Sequence, residues 1–206
     1  MAANQDAGAA ADPDAPTGRD RIRRLAVVAA FIALDLWTKA AVFAWLTPAP
    51  GAAPAAGVEV WNNGHLRYTL VDPWLGFMLG ENHGAAWGFG AEHPYLLVSG
   101  RILAVVLIAV LLWRAPRRPA VGVWALVLVL AGALGNLHDN IALRDGTHPI
   151  GAVRDFIDVY FSRWGYHFPT FNVADSCITV GAVFLIVGAL FPGRKLASAP
   201  APTAPS

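Results

Sequence analysis

Two kinds of side chain are scarce in this chain, and each scarcity removes a class of protein. Charged residues make up only 14% of the 206 residues, against about 25% in an ordinary soluble domain. There is a single cysteine, Cys177, which excludes an internal disulfide and any metal site built from several thiolates. The six histidines are scattered and form no H-E-x-x-H pair, so that zinc-hydrolase signature is absent as well. A net charge of +1 gives no field of the kind that gathers nucleic acid. What fills the chain instead is apolar: 56% hydrophobic residues and a mean hydropathy of +0.48. That composition points to lipid as the solvent for much of the surface.

Four stretches are long enough to cross a bilayer, which takes roughly 20 apolar residues. They run over about 25–46, 94–113, 119–137 and 173–191. With no water to satisfy backbone groups, each must be helical. The first run is too long for a cleavable signal peptide and has no clear small-residue cleavage pattern behind it, so it is read as a retained span. Basic residues fall in three groups: Arg19, Arg21, Arg23 and Arg24 before the first span, Arg114, Arg117 and Arg118 between the second and third, and Arg194 and Lys195 after the fourth. Four spans put all three groups on one side, which basic loops mark as cytoplasmic. Three or five spans would put one group on the wrong face. The expectation is an all-α membrane protein of four transmembrane helices, residues 21–195, with a small extracytoplasmic β-containing region formed by loops 47–93 and 138–172. Residues 1–20 and 196–206 carry no hydrophobic periodicity and are expected to be disordered cytoplasmic tails.

In the first outer loop, Val58-Glu59-Val60 and Leu66-Arg67-Tyr68-Thr69-Leu70 have the alternation and β-branching of a small sheet. Residues 73–79, with Trp74 among them, suit a strip lying along the membrane interface, where tryptophan prefers to sit. Trp61, Trp74 and Trp87 could fold over a site and limit water. The second outer loop holds most of the acidic residues outside the N-terminal tail.

Ionisable residues inside spans are costly and commonly functional. Asp35 and Lys39 are four apart, acid before base, on one helical face; such a pair can tie the first helix to its neighbours. Arg101, inside the second span, could snorkel outward or meet a carboxylate or a lipid phosphate. A sharper pattern stands at the outer ends of the last two spans. Asn136-Leu137-His138-Asp139 closes one and Asn172-Val173-Ala174-Asp175 opens the next, with Asp145, Asp155 and Asp158 between them. Two carboxylates held close cannot both ionise easily, so they share a proton. One can then take a proton from water while the other donates to a carbonyl oxygen, which is general acid–base hydrolysis. The same acids could equally serve as helix caps and loop ion pairs, and spacing does not say which two would meet. Ser162, Ser176 and Cys177 lie in no nucleophile signature. The glycine-rich run 80–90 lacks the lysine of a phosphate-binding loop.

Five blocks, in order, resemble signal peptidase II. Asp35-Leu36-Trp37-Thr38-Lys39 is similar to its D-x-x-T-K signature, and Asn82-His83-Gly84-Ala85-Ala86-Trp87 to N-x-G-A-A-F/W. Gly132-Ala133-Leu134-Gly135-Asn136-Leu137-His138-Asp139 resembles G-A-x-G-N-x-x-D. Val153-Arg154-Asp155-Phe156-Ile157-Asp158 resembles V-x-D-F-x-D, and Phe168-Pro169-Thr170-Phe171-Asn172-Val173-Ala174-Asp175-Ser176 resembles F-P-x-F-N-x-A-D-S. The resemblance covers residues 25–190 or so and implies a membrane aspartic endopeptidase. Its catalytic pair would be Asp155 and Asp175. Asp35, Lys39, Asn82, Gly84, Asn136, Asp139, Asn172 and Ala174 would shape the site and bind substrate. The implied substrate is a diacylglyceryl-modified prolipoprotein, cut just before its lipidated cysteine, at the outer face of a bacterial inner membrane. No metal or cofactor is implied; membrane lipid is an expected partner and a monomer the expected state.

Two departures stand out. Where the family has Arg after the Asp of its third-span block, this chain has Asn140, a neutral amide in place of a fixed cation. The segment 140–155 is also longer than usual, and Arg144 or Arg154 within it is expected to supply the missing charge. The departure keeps a second reading open: a non-catalytic paralogue that binds precursors or an inhibitor. A small transporter using Asp35, Lys39 and Arg101 is a further rival, though the repeated halves and broken helices common in transporters are missing.

Overall fold

The computed structural model describes residues 14–61, 63–84, 90, 92–117, 121–143 and 150–191. Four helices account for most of it: α1 (Gly18–Leu46), α2 (Pro94–Arg114), α3 (Val121–Ala142) and α4 (Val173–Leu190). All four are long and apolar enough to cross a membrane. α1 begins ahead of the hydrophobic run because Thr17 caps it. The Thr17 hydroxyl accepts the Asp20 N–H, and the Asp20 carboxylate accepts the Thr17 N–H at 2.9 Å, a reciprocal pairing that satisfies two orphan donors. Its buried residues, Arg24, Val28, Asp35, Lys39, Val42 and Leu46, recur at helical spacing along one stripe. α3 is the central helix, in contact with α1, α2, α4 and the sheet. α4 meets it through a stripe of small residues, Ala174, Cys177 and Gly181, as helices packed in lipid do. Outward faces are apolar: Leu103, Leu107 and Leu111 on α2 and Val183, Ile186 and Val187 on α4 are exposed, a surface only lipid can solvate comfortably.

One end of the bundle is basic. The Arg24 guanidinium donates to the carbonyls of Ala115 (2.9 Å), Leu112 (3.3 Å) and Pro116, and Arg117 pairs with Asp20 at 3.7 Å. The first two basic groups read from the sequence therefore share an end; Arg118, Arg194 and Lys195 lie outside the described residues.

At the end where α1 and α3 finish and α2 and α4 begin, a five-stranded antiparallel sheet forms: β1 (Val58–Val60), β2 (Leu66–Val71), β3 (Leu75–Asn82), β4 (Val153–Phe161) and β5 (Tyr166–Phe171), in sequence order. It is larger than the sequence suggested. Residues 75–79 are part of β3 rather than an interface strip, because β3 is paired on both edges, to β2 and β4, which takes up its backbone N–H and C=O groups. The β3–β4 pairing stitches the two long connections together, with Gly80 opposite Asp155. α3 also runs on past Leu137 to Ala142. The polar residues Asp139 and Asn140, expected to start the loop, are buried in its last turn, where they find partners. Arg67, fully buried on β2, donates through Nε to Asp158 Oδ2 at 2.7 Å, and His167 Nδ1 lies 2.7 Å from Asp158 Oδ1. Asp158 thus locks β2, β4 and β5 together. Trp61 lies against Tyr160, His167 and the Arg67 guanidinium, so it packs on the sheet instead of folding over a site. Trp74 is exposed next to the β2–β3 turn, and Trp87 lies outside the described residues.

Candidate active site

The junction of β5 and α4 organises the site. Asn172 is the N-cap of α4: its side-chain oxygen accepts the Asp175 N–H at 2.8 Å, and Asp175 Oδ2 accepts the Asn172 N–H at 3.2 Å. The sequence spacing suggested two side chains on one helical face; the structure instead makes them a cap and its reciprocal partner. The cap frees the Asn172 amide, which donates to Asp155 Oδ1 at 2.6 Å. One buried residue therefore holds two carboxyls from two elements, Asp155 on β4 and Asp175 on α4.

Their surroundings differ. Asp155 is 2% exposed, while Asp175 is half-buried. Burial, and next the charge of Asp175, push the Asp155 carboxyl up from the ordinary value of 3.8 to about 7, against the pull of the Asn172 and Asn82 amides and of Lys39. Desolvation disfavours the ionised form and a neighbouring carboxylate adds to it. Asp175 accepts two N–H donors, from the Asn136 amide at 2.7 Å and the Asn172 backbone. The Asp155 carboxyl therefore holds its proton up to about pH 7 beside a second carboxyl that is hydrogen-bonded to two N–H donors.

Around the pair lies a buried frame. Lys39, fully buried, sits 2.8 Å from Asp35 Oδ2 and 3.5 Å from Asp139 Oδ2, and donates to Asn136 Oδ1 at 2.9 Å. Asp35 also accepts the Ala174 N–H at 2.9 Å, which ties α1 to the start of α4. Asp139 takes Arg154 in a two-pronged bond, through Nε and Nη2 at 3.2 and 2.9 Å. Asn82, at the end of β3, hydrogen-bonds Asp155 through its side chain and accepts the Gly84 N–H at 2.9 Å.

Asp35, Lys39, Asn82, Gly84, Asn136, Asp139, Asn172 and Ala174 lie around Asp155 and Asp175 in the structure. It also answers what spacing left open. Asp139 is occupied by Arg154 and Lys39, and Asp158 by Arg67 and His167. Asp145 and Arg144 lie outside the described residues. Among the described acids of this connection and α4, Asp155 and Asp175 are the two that share Asn172. Arg154, offered as a replacement cation, is bound to Asp139. Sequence reasoning missed Arg67 and His167, although a charged residue on the inward phase of an alternating strand was the available signal. It also left open what Arg101 meets: Asn140 and the Gly84 carbonyl. Among the described residues no group of His, Cys, Asp and Glu is arranged to hold a metal ion.

Four span-length helices carrying a small sheet over buried carboxyls place this chain among polytopic membrane enzymes. Two solved bacterial membrane enzyme structures share the fold, one with a TM-score of 0.67 at 22% identity, covering 92% of this chain and 98% of its own, the other with 0.61 at 25%, covering 86% and 96%. The family model for signal peptidase (SPase) II matches residues 27–191. The chain is 36% identical over 167 residues to the lipoprotein signal peptidase of Acinetobacter baumannii, covering 78% of each. It is 33% identical over 183 residues to that of Solibacter usitatus, covering 86% of this chain and 96% of the relative. The chain belongs to the signal peptidase II family, membrane proteases that remove signal peptides from lipoprotein precursors.

Proposed function

We propose that Asp155 and Asp175 are the catalytic pair of an aspartic endopeptidase that cuts diacylglyceryl-modified prolipoproteins immediately before the lipidated cysteine. The observation that carries this reading is the double hold of Asn172 on both carboxyls, with Asp155 kept protonated near pH 7. Asp175 takes a proton from a water as its oxygen attacks the scissile carbonyl carbon, while Asp155 gives its proton to the carbonyl oxygen. In the collapse Asp175 returns the proton to the departing amine and Asp155 recovers one from the tetrahedral hydroxyl. No covalent enzyme intermediate forms. Lys39, Asp35 and Asp139 support the pair without touching the reacting atoms, and Asn136 holds Asp175 directly through Oδ1.

The sheet end of the bundle is the outer face in this reading, because the basic end belongs to the cytoplasm. A lipid-anchored cysteine would hold its peptide bond at that surface, where the pair lies. Incubating the purified protein in detergent with a diacylglyceryl-modified precursor tests the proposal. Wild type should release the signal peptide, and Asp155→Asn and Asp175→Asn should each reduce turnover by at least about 10³-fold while still inserting. Full turnover by either variant rejects the assignment. An inactive wild type would favour the non-catalytic paralogue that Asn140 keeps in view.

A further inference from the structure

Arg101 is an arginine well inside an otherwise apolar helix, and among the described residues its guanidinium forms no salt bridge. One arm donates to Asn140 Oδ1 and the other to the Gly84 carbonyl at 2.8 Å. Each acceptor leads to Asp155. The Gly84 N–H is held by the Asn82 side chain, which hydrogen-bonds Asp155. The Asn140 amide donates to the Gly151 carbonyl at 2.7 Å, and the Asn140 carbonyl accepts the Gly151 N–H at 3.1 Å, just ahead of β4. A ring of polar contacts therefore runs from Asp155 through the end of β3, across α2 and the end of α3, and back into β4. Arg101 is the only member from α2. Gly151 has no room for a side chain, since a Cβ would strike the carbonyl of Leu143, so the Asn140–Gly151 contact is fixed from both sides.

We propose that Arg101 is a positioning residue of the peptidase: it clamps the Gly84 turn and Asn140, and so sets the place of Asp155 and the positive charge that the carboxyl pair feels. The proposal rests on Asp155 and Asp175 being the catalytic pair. Of the other titratable groups around the pair, Lys39 on α1 is shared by Asp35 and Asp139, Arg154 on β4 is bound to Asp139, His138 on α3 lies 3.4 Å from Asp139, and His83 is half-buried between Asn82 and Gly84 in the chain. Glu81, Glu92 and His93 are exposed to solvent. Position 140 is where the motif resemblance leads one to expect an arginine. The guanidinium that reaches it arrives from α2 instead, a charge moved to a neighbouring helix.

The test compares Arg101→Gln, Arg101→Lys and the double variant Arg101→Gln/Asn140→Arg by cleavage of a diacylglyceryl-modified precursor across pH. Arg101→Gln should lower kcat about 10- to 100-fold, since small displacements of a catalytic group cost that much. It should also move the kcat/KM profile to higher pH by about half a unit to one unit, because both carboxyls lose a nearby cation. Arg101→Lys keeps the charge but not the two-armed bond; the profile should stay in place while kcat falls. The double variant should return the profile to its wild-type position. Wild-type kinetics in Arg101→Gln, or an unmoved profile with only a lower thermal midpoint, would overturn the proposal. If Arg101→Gln does not accumulate, the folded double variant decides: recovery of the wild-type profile supports the clamp and a displaced profile rejects it. Failure of the catalytic assignment would look different, as cleavage persisting in Asp155→Asn.

Discussion

At the residue scale, Asp155 carries a cost that its position explains. The folded protein raises its pKa from 3.8 to about 7, so the folded state binds this proton more tightly than the unfolded chain does. The associated stability is full below about pH 3.8 and is lost as pH rises through about 7. Each unit is worth about 1.4 kcal/mol, so ionising Asp155 in place costs on the order of a few kcal/mol. Asparagine at this position keeps an oxygen for the Asn172 amide and has no charge to bury. Asp155→Asn should therefore melt at or above the wild type at pH 8 in detergent, with the gap closing at pH 5; a variant less stable than wild type at pH 8 would contradict this account. The same titration bears on rate. With Asp155 as the acid, kcat/KM should decline as pH climbs through about 7, and a profile flat to pH 9 would exclude that role.

At the scale of elements, the site depends on how closely α3, α1 and α4 approach. A Cβ at Gly135 would come within 2.5 Å of Asp35 Oδ2, and one at Gly132 would overlap the Ala174 carbonyl. These glycines let the buried Asp35–Lys39 pair sit between helices and let the first turn of α4 present Asp175. Gly135→Ala should displace Asp35, which holds both Lys39 and the Ala174 N–H. Overpacking of that kind costs about 1–3 kcal/mol. The expected outcome is a lowered thermal midpoint together with weaker cleavage; unchanged values for both would show that the interface yields without harm. The sheet works in the same way. β4 is held by β3 on one side and β5 on the other, and the buried Arg67–Asp158 bond fixes the outer end of the strand that carries Asp155.

At the scale of the molecule, the proposed orientation puts the basic end in the cytoplasm. With Cys177 replaced by serine, a cysteine at Ser162, in the exposed β4–β5 turn, should react with a membrane-impermeant maleimide added to intact spheroplasts. A cysteine at Ala15, beside the basic end of α1, should react only after lysis. The reverse pattern would invert the topology. The sequence by itself determined the four spans, their basic end and the blocks of acids and amides. Those signals are local: bilayer thickness sets the length of an apolar run, and a short motif carries its own spacing. α2 and α4 end within a residue of where hydropathy placed them, while α1 starts at Gly18 instead of Leu25 behind its Thr17 cap and α3 overran because its polar end is paired inside the protein. Spacing alone did not say which acids meet; the motif resemblance pointed to Asp155 and Asp175, and the tertiary structure puts both on Asn172. Every carboxylate in the second outer connection looks alike in sequence, and what separates them is the cation that reaches each one. Arg67 reaches Asp158 across 91 positions, Lys39 and Arg154 converge on Asp139, and Asp155 and Asp175 are left to share one asparagine. Such choices depend on distances through space in a low-dielectric interior, where an ion pair or its absence outweighs any preference written along the chain.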